Sequence, residues 1–160
     1  MAQRKAREAG FTLVEVLVTF GIIAALAALT FASLGQPQTD ASLNGTVETL
    51  MADLKSQQLL AMSGDSGSQT TQQPHGIVVS GSDYTLFSGS SYNSGDSDNY
   101  TVTPGSNVSF TTTFPSSQVL FDKASGEVNG FTGGSNTITV SVGGSSRTIS
   151  ITQYGTVTAN

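Results

Sequence analysis

The sequence has no cysteine and no tryptophan, a single histidine, and only 11% charged residues among 160. Without cysteine there are no disulfides, no thiolate metal sites, no cysteine nucleophile and no acylation on cysteine, although the compartment stays open. Acid–base chemistry has little to work with, because any Ser-His-Asp arrangement must use His75, and no Gly-x-Ser-x-Gly nucleophile motif, phosphate loop or dinucleotide fingerprint occurs. The expectation is a protein that is not an enzyme, with no cofactor, in which His75 simply enters a strand after Pro74. Basic residues are the other scarcity. Arg4, Lys5 and Arg7 fall in the first ten positions, leaving only Lys55, Lys123 and Arg147 beyond Gly10 against ten acidic residues, a net charge of −7 for that part. Affinity for nucleic-acid phosphates and anionic headgroups rests on clustered Lys and Arg, so proteins are the expected partners and nucleic acid is not.

What is present begins with a basic head, residues 1–10, followed by an apolar run over residues 11–34 with one charge, Glu15. As a helix those residues extend roughly 36 Å at about 1.5 Å each, enough to cross a hydrocarbon core of about 30 Å. The sequence therefore predicts a membrane-embedded segment contacting lipid through residues 11–34. Positive charge before it and none soon after orients the amino end to the cytoplasm and exports the remainder. A secretory signal peptide is the alternative, with Ala25-Leu26-Ala27 as a small-x-small cleavage site. Glu15 argues against it. A carboxylate in an apolar helix costs about 2.5–3.5 kcal/mol at the bilayer centre and marks a functional position whose partner has to be found.

Gly10-Phe11-Thr12-Leu13-Val14-Glu15 behind a short basic leader resembles the class III signal of type IV pilins and type II secretion pseudopilins. The resemblance implies that a prepilin peptidase cuts between Gly10 and Phe11, that Phe11 is then N-methylated, and that the apolar helix stays in the protein. Glu15 lies four residues after Phe11, one helical turn away, and in a bundle of such helices it would meet the free amine of a neighbouring subunit's Phe11. Other pilin or pseudopilin subunits are then the partners, and the location is the cytoplasmic (inner) membrane, single-pass, and later a pilus or pseudopilus.

Gly35-Gln36-Pro37 predicts a bend, and helical periodicity resumes after Asp40 as a cap, with Leu43, Val47, Leu50, Met51, Leu54 and Ala61 on one face. Glu48, Asp53, Lys55 and the glutamines are expected to face outward. The helix is expected to end near Ser63-Gly64, before a Ser/Gly/Gln loop that runs to Pro74. From His75 the apolar period becomes two. Ile77/Val79, Tyr84/Leu86, Val108/Phe110, Val119/Phe121, Ile138/Val140/Val142 and Ile149/Ile151 predict half-buried antiparallel strands, with a hairpin at Gly143-Gly144. The fold class is α+β: a cleaved leader over 1–10, a filament-core helix over 11–34, its amphipathic continuation over 35–63 and a β-rich exported domain over 64–160.

Val119-Leu120-Phe121, Gly126, Ile138-Thr139-Val140, residues 147–151 and the closing Gly155-Thr156-Val157 are similar to the carboxyl-terminal strands of GspH/FimT-type minor pseudopilins. That resemblance implies a minor pseudopilin or minor pilin. The alternative is a tip-binding module for DNA uptake or adhesion, but the basic Gly-Arg-x-Arg element of the DNA-uptake members is replaced here by Tyr154-Gly155-Thr156-Val157. Residues 94–99 have the oxygen density of a calcium site in Asp96 and Asp98 but lack the spacing and downstream Glu of an EF-hand, and are read as a solvated turn with no metal. Asn44-Gly45-Thr46 and Asn107-Val108-Ser109 fit the glycosylation sequon, a short motif of low specificity.

Overall fold

A computed structural model describes the backbone of residues 10–33 and 35–160 and the side chains of residues 10–28 and 38–160. Residues 1–9 of the leader, and Leu34, lie outside the described residues. The chain divides into two compact units after Gln38. In the first, α1 covers Leu13–Ser33, 21 residues. Thr12 caps it, its side-chain oxygen accepting the Glu15 amide at 3.3 Å while its carbonyl accepts the Glu15 and Val16 amides at 3.1 and 3.2 Å. An N-cap oxygen of this kind satisfies one of the amides that a helix start leaves without an intrahelical acceptor.

The second helix, α2, covers Gly35–Ser63. The bend expected at Gly35-Gln36-Pro37 falls where α1 has ended at Ser33, Leu34 lies outside the described residues, and Gly35, Gln36 and Pro37 are already helical as the first residues of α2. For the same reason Asp40 is not the cap; it stands inside the helix, exposed. At the far end, Gly64 adopts φ 77°, the left-handed conformation that commonly follows a last helical turn.

The second unit, residues 39–160, carries eight strands in two antiparallel sheets. The first has the order β3-β2-β1-β5, built from Tyr100–Val102, Asp83–Ser88, His75–Ser80 and Gln118–Phe121. The second has the order β4-β6-β7-β8, built from Val108–Thr112, Thr137–Val142, Ser145–Ile151 and Val157–Ala159. The hairpin between β6 and β7 pairs Val142 with Ser145. Its two turn residues, Gly143 and Gly144, have φ 55° and 95°, which only glycine adopts without strain at both central positions of such a turn. The sheets are joined where Phe110 donates its amide to the Gly81 carbonyl at 2.7 Å and Val128 donates to Gln153 at 2.8 Å.

One hydrophobic core unites the unit. Leu43, Val47, Leu50, Leu54 and Ala61 of α2 are buried together with Ile77, Val79, Val119 and Phe121 of the first sheet and Phe110, Ile138, Val140, Ile149 and Ile151 of the second. The i, i+4, i+7 spacing on α2 and the alternation on the strands thus converge on the same interior. Two polar residues of α2 depart from the outward placement expected of them. The Asp53 carboxylate accepts the Tyr84 hydroxyl at 2.6 Å, and Gln57 is 5% exposed. Both follow the apolar stripe inward, Asp53 standing three residues after Leu50 and Gln57 three after Leu54 and four before Ala61. Gln58 is spent on loops: its amide donates to the carbonyls of Gly126 and Tyr154, both at 2.9 Å.

The face of the first sheet opposite the core is also covered in part. Phe87, paired with Gly76, is 2% exposed and meets Tyr92 edge-on, ring centres 5.7 Å apart. The loop between β2 and β3 therefore lies over that face.

Candidate functional site

Gly10, Phe11 and Glu15 all stand at the head of α1. Gly10 is exposed, with nothing within 4 Å of the place where a side chain would begin. Phe11 is 82% exposed. Glu15 occupies the first turn of α1, where the partial positive charge of a helix start favours a carboxylate, and no ion pair involving it occurs among the described residues. Thr12 completes the group. In the sequence Thr12 stands out only as part of the Gly10–Glu15 segment, yet the Thr-x-x-Glu spacing of Thr12 and Glu15 is itself a capping signature.

Through Ala28 the rest of α1 is apolar on every side apart from Thr19, whose hydroxyl donates to the Val16 carbonyl. Leu13, Val14, Val16, Leu17, Val18, Phe20, Ile22, Ile23 and Leu26 are all exposed. A helix apolar all round is stable only when something covers it, lipid or the apolar faces of other chains. Each large side chain so covered gains about 1.5–3 kcal/mol. Glu15 is the one position in that surface where covering costs energy unless a cation is supplied. This end of the molecule is therefore an apolar rod carrying one acidic group in its first turn. Among the described residues no helix is long and apolar enough to cross a membrane, so the spanning reading of residues 11–34 rests on the sequence and not on the structure.

The other residues singled out in the sequence do not join this site. His75 opens β1, is 4% exposed, and has its Nε2 3.5 Å from an Asp65 carboxylate oxygen. Asp96 accepts the Asp98 amide at 3.0 Å in a tight turn, while Asp98 turns its carboxylate to the Ser68 amide. Among the described residues no group of three or more His, Asp or Glu side chains is arranged to hold a metal.

Residues 5–31 match the prokaryotic N-terminal methylation motif. No curated protein and no solved structure matches the chain. The matched segment runs from the basic leader through the Gly10–Phe11 junction and Glu15 into the exposed apolar helix. It implies processing by a prepilin peptidase, assembly with other pilin-like subunits and membrane anchoring on the way to a pilus or pseudopilus. Residues 5–31 thus carry the prokaryotic N-terminal methylation motif, a class III prepilin leader.

Proposed function

We propose that the protein is a structural, non-enzymatic subunit, a minor pseudopilin or minor pilin of the GspH/FimT type, in a type II secretion pseudopilus or a type IV pilus. Cleavage falls between Gly10 and Phe11, and Phe11 becomes the N-methylated amino terminus. Before assembly the helix over residues 11–34 is held in the inner membrane, with the domain that follows outside the cytoplasm. The observation that carries this reading is the placement of Gly10-Phe11 and Glu15 at the capped head of a helix that is apolar on all sides. Glu15 is unfavourable alone in lipid and is satisfied when the Phe11 amine of a neighbouring subunit reaches it, so that charge pairing sets axial register as subunits leave the membrane. The GspH/FimT assignment is supported by the succession of strands β5 to β8 and the turn at Gly126.

Replacing Glu15 tests the mechanism. Glu15→Val is expected to insert at least as well as the parent and to be recruited poorly into filaments, read by co-purification of the variant with sheared filaments. Incorporation equal to the parent would refute charge pairing. A tip module for DNA uptake is the second reading, and the charge of −7 beyond Gly10 weighs against it.

A further inference from the structure

The two polar loops on either side of β1 and β2, residues 64–74 and 89–99, carry no apolar pattern, yet they meet at one end of the first sheet. Asp98 accepts the backbone amide of Ser68. Asp65 accepts the Gly67 amide at 2.8 Å, and its carboxylate lies 3.5 Å from His75 Nε2. Between the loops and α2 is a cavity of about 380 Å³ whose wall includes both carboxylates, His75, Gln57 and Ser88. Gln57 is 5% exposed, and neither its Oε1 nor Ser88 Oγ has a hydrogen-bond partner. Buried polar atoms without a hydrogen-bond partner are uncommon in folded proteins and each calls for an explanation. Here they line the same cavity as two carboxylates.

We propose that this cavity binds a guanidinium or primary ammonium head carried on an aliphatic stem. Its polar wall is rich in acceptors, so a ligand bearing several N–H donors and positive charge complements it. Leu60 and Phe87 supply apolar wall for the stem, and Tyr100, 66% exposed at the rim, offers an aromatic face to the cation. An anion would face two carboxylates. A bare metal ion is not favoured, because Asp65, Asp98 and His75 are not grouped so that the three could hold one. The volume accommodates one arginine or lysine side chain or a small free diamine. This site is independent of the leader and of filament assembly.

The test uses the full processed chain in detergent micelles, observed by amide-resolved NMR and titrated with butylguanidinium chloride at constant ionic strength. Saturable shifts at Gly67, Ser68, His75 and Ser88 are expected, and tetramethylammonium, which has no N–H donor, should produce none. Asp98→Asn keeps an oxygen for the Ser68 amide while removing the charge. It and Asp65→Asn are each expected to weaken binding about tenfold or more, with thermal midpoints matching the parent as the check on folding. N-acetylarginine amide and putrescine then separate the two sources of the group: tighter binding of the first indicates a side chain of another protein, and of the second a free diamine. Linear shifts without saturation, an equal response to tetramethylammonium, or unchanged affinity in both Asn variants would overturn the proposal.

Discussion

Tyr84→Phe isolates one bond that ties α2 to the first sheet. The Tyr84 side chain is 1% exposed, its hydroxyl donates to Asp53 at 2.6 Å, and its ring meets Phe110 of the second sheet edge-on, centres 5.5 Å apart. Phenylalanine keeps the ring contact and deletes only the hydroxyl. A hydrogen bond to a charged acceptor contributes about 1.5–3 kcal/mol. Asp53 retains some contact with water, so a loss near the lower end, about 1–2 kcal/mol, is expected. The same bond makes stability depend on alkaline pH. Burial, then the Asp53 hydrogen bond and charge, hold the Tyr84 hydroxyl well above its ordinary value of 10.0. Above about pH 10 the unfolded chain releases this proton while the folded chain retains it, so stability is full below pH 10 and falls by about 1.4 kcal/mol per pH unit above it. Urea unfolding followed by circular dichroism, at neutral pH and through the alkaline range, reads both effects. Equal stability of Tyr84→Phe and parent at neutral pH, or an alkaline slope that survives the substitution unchanged, would refute the reasoning.

At Gly155, φ is 75°, and an added methyl would strike the Gln58 side chain. Gly155→Ala is therefore expected to cost about 2–3 kcal/mol in the same unfolding assay, from backbone strain and loss of the two bonds Gln58 makes to Gly126 and Tyr154; a cost below about 0.5 kcal/mol would show that Gln58 is not a clamp. Nucleic acid provides a different check. Only Lys55, Lys123 and Arg147 are basic beyond the leader, while neutralising even about six phosphates takes a comparable number of cations on one face. No mobility shift of duplex DNA is expected at physiological salt, and micromolar binding abolished by Arg147→Ala would move the function to DNA capture.

Legibility in the sequence followed the range of the interactions. The inward face of α2 was readable at Leu43, Val47, Leu50 and Leu54 because helical spacing is a local property, as was the strand alternation at Ile138, Val140 and Val142. Asp53 and Gln57 were misread because their inward placement depends on what stands opposite; Tyr84, the partner of Asp53, is 31 residues away. Phe87 escaped because it falls off the period-two pattern of β2 and is buried by Tyr92 of a loop with no apolar pattern of its own. The division into two sheets also had no local signal, since β3 and β8 have three residues each. At the leader the reverse holds: Glu15 stands out as a charge in an apolar run and Gly10 and Phe11 through the resemblance to a class III signal, whereas the cap at Thr12 and the exposure of α1 through Ala28 emerge from the structure.

Processing at the Gly10–Phe11 junction is the most direct test of the proposed function. Intact mass and N-terminal sequencing of the protein extracted from membranes of cells with an active prepilin peptidase should give a chain that lacks residues 1–10 and begins with Phe11 carrying one methyl group. Gly10→Val should retain the leader. An intact Met1 in the parent chain, or an amino terminus immediately after Ala27, would contradict it.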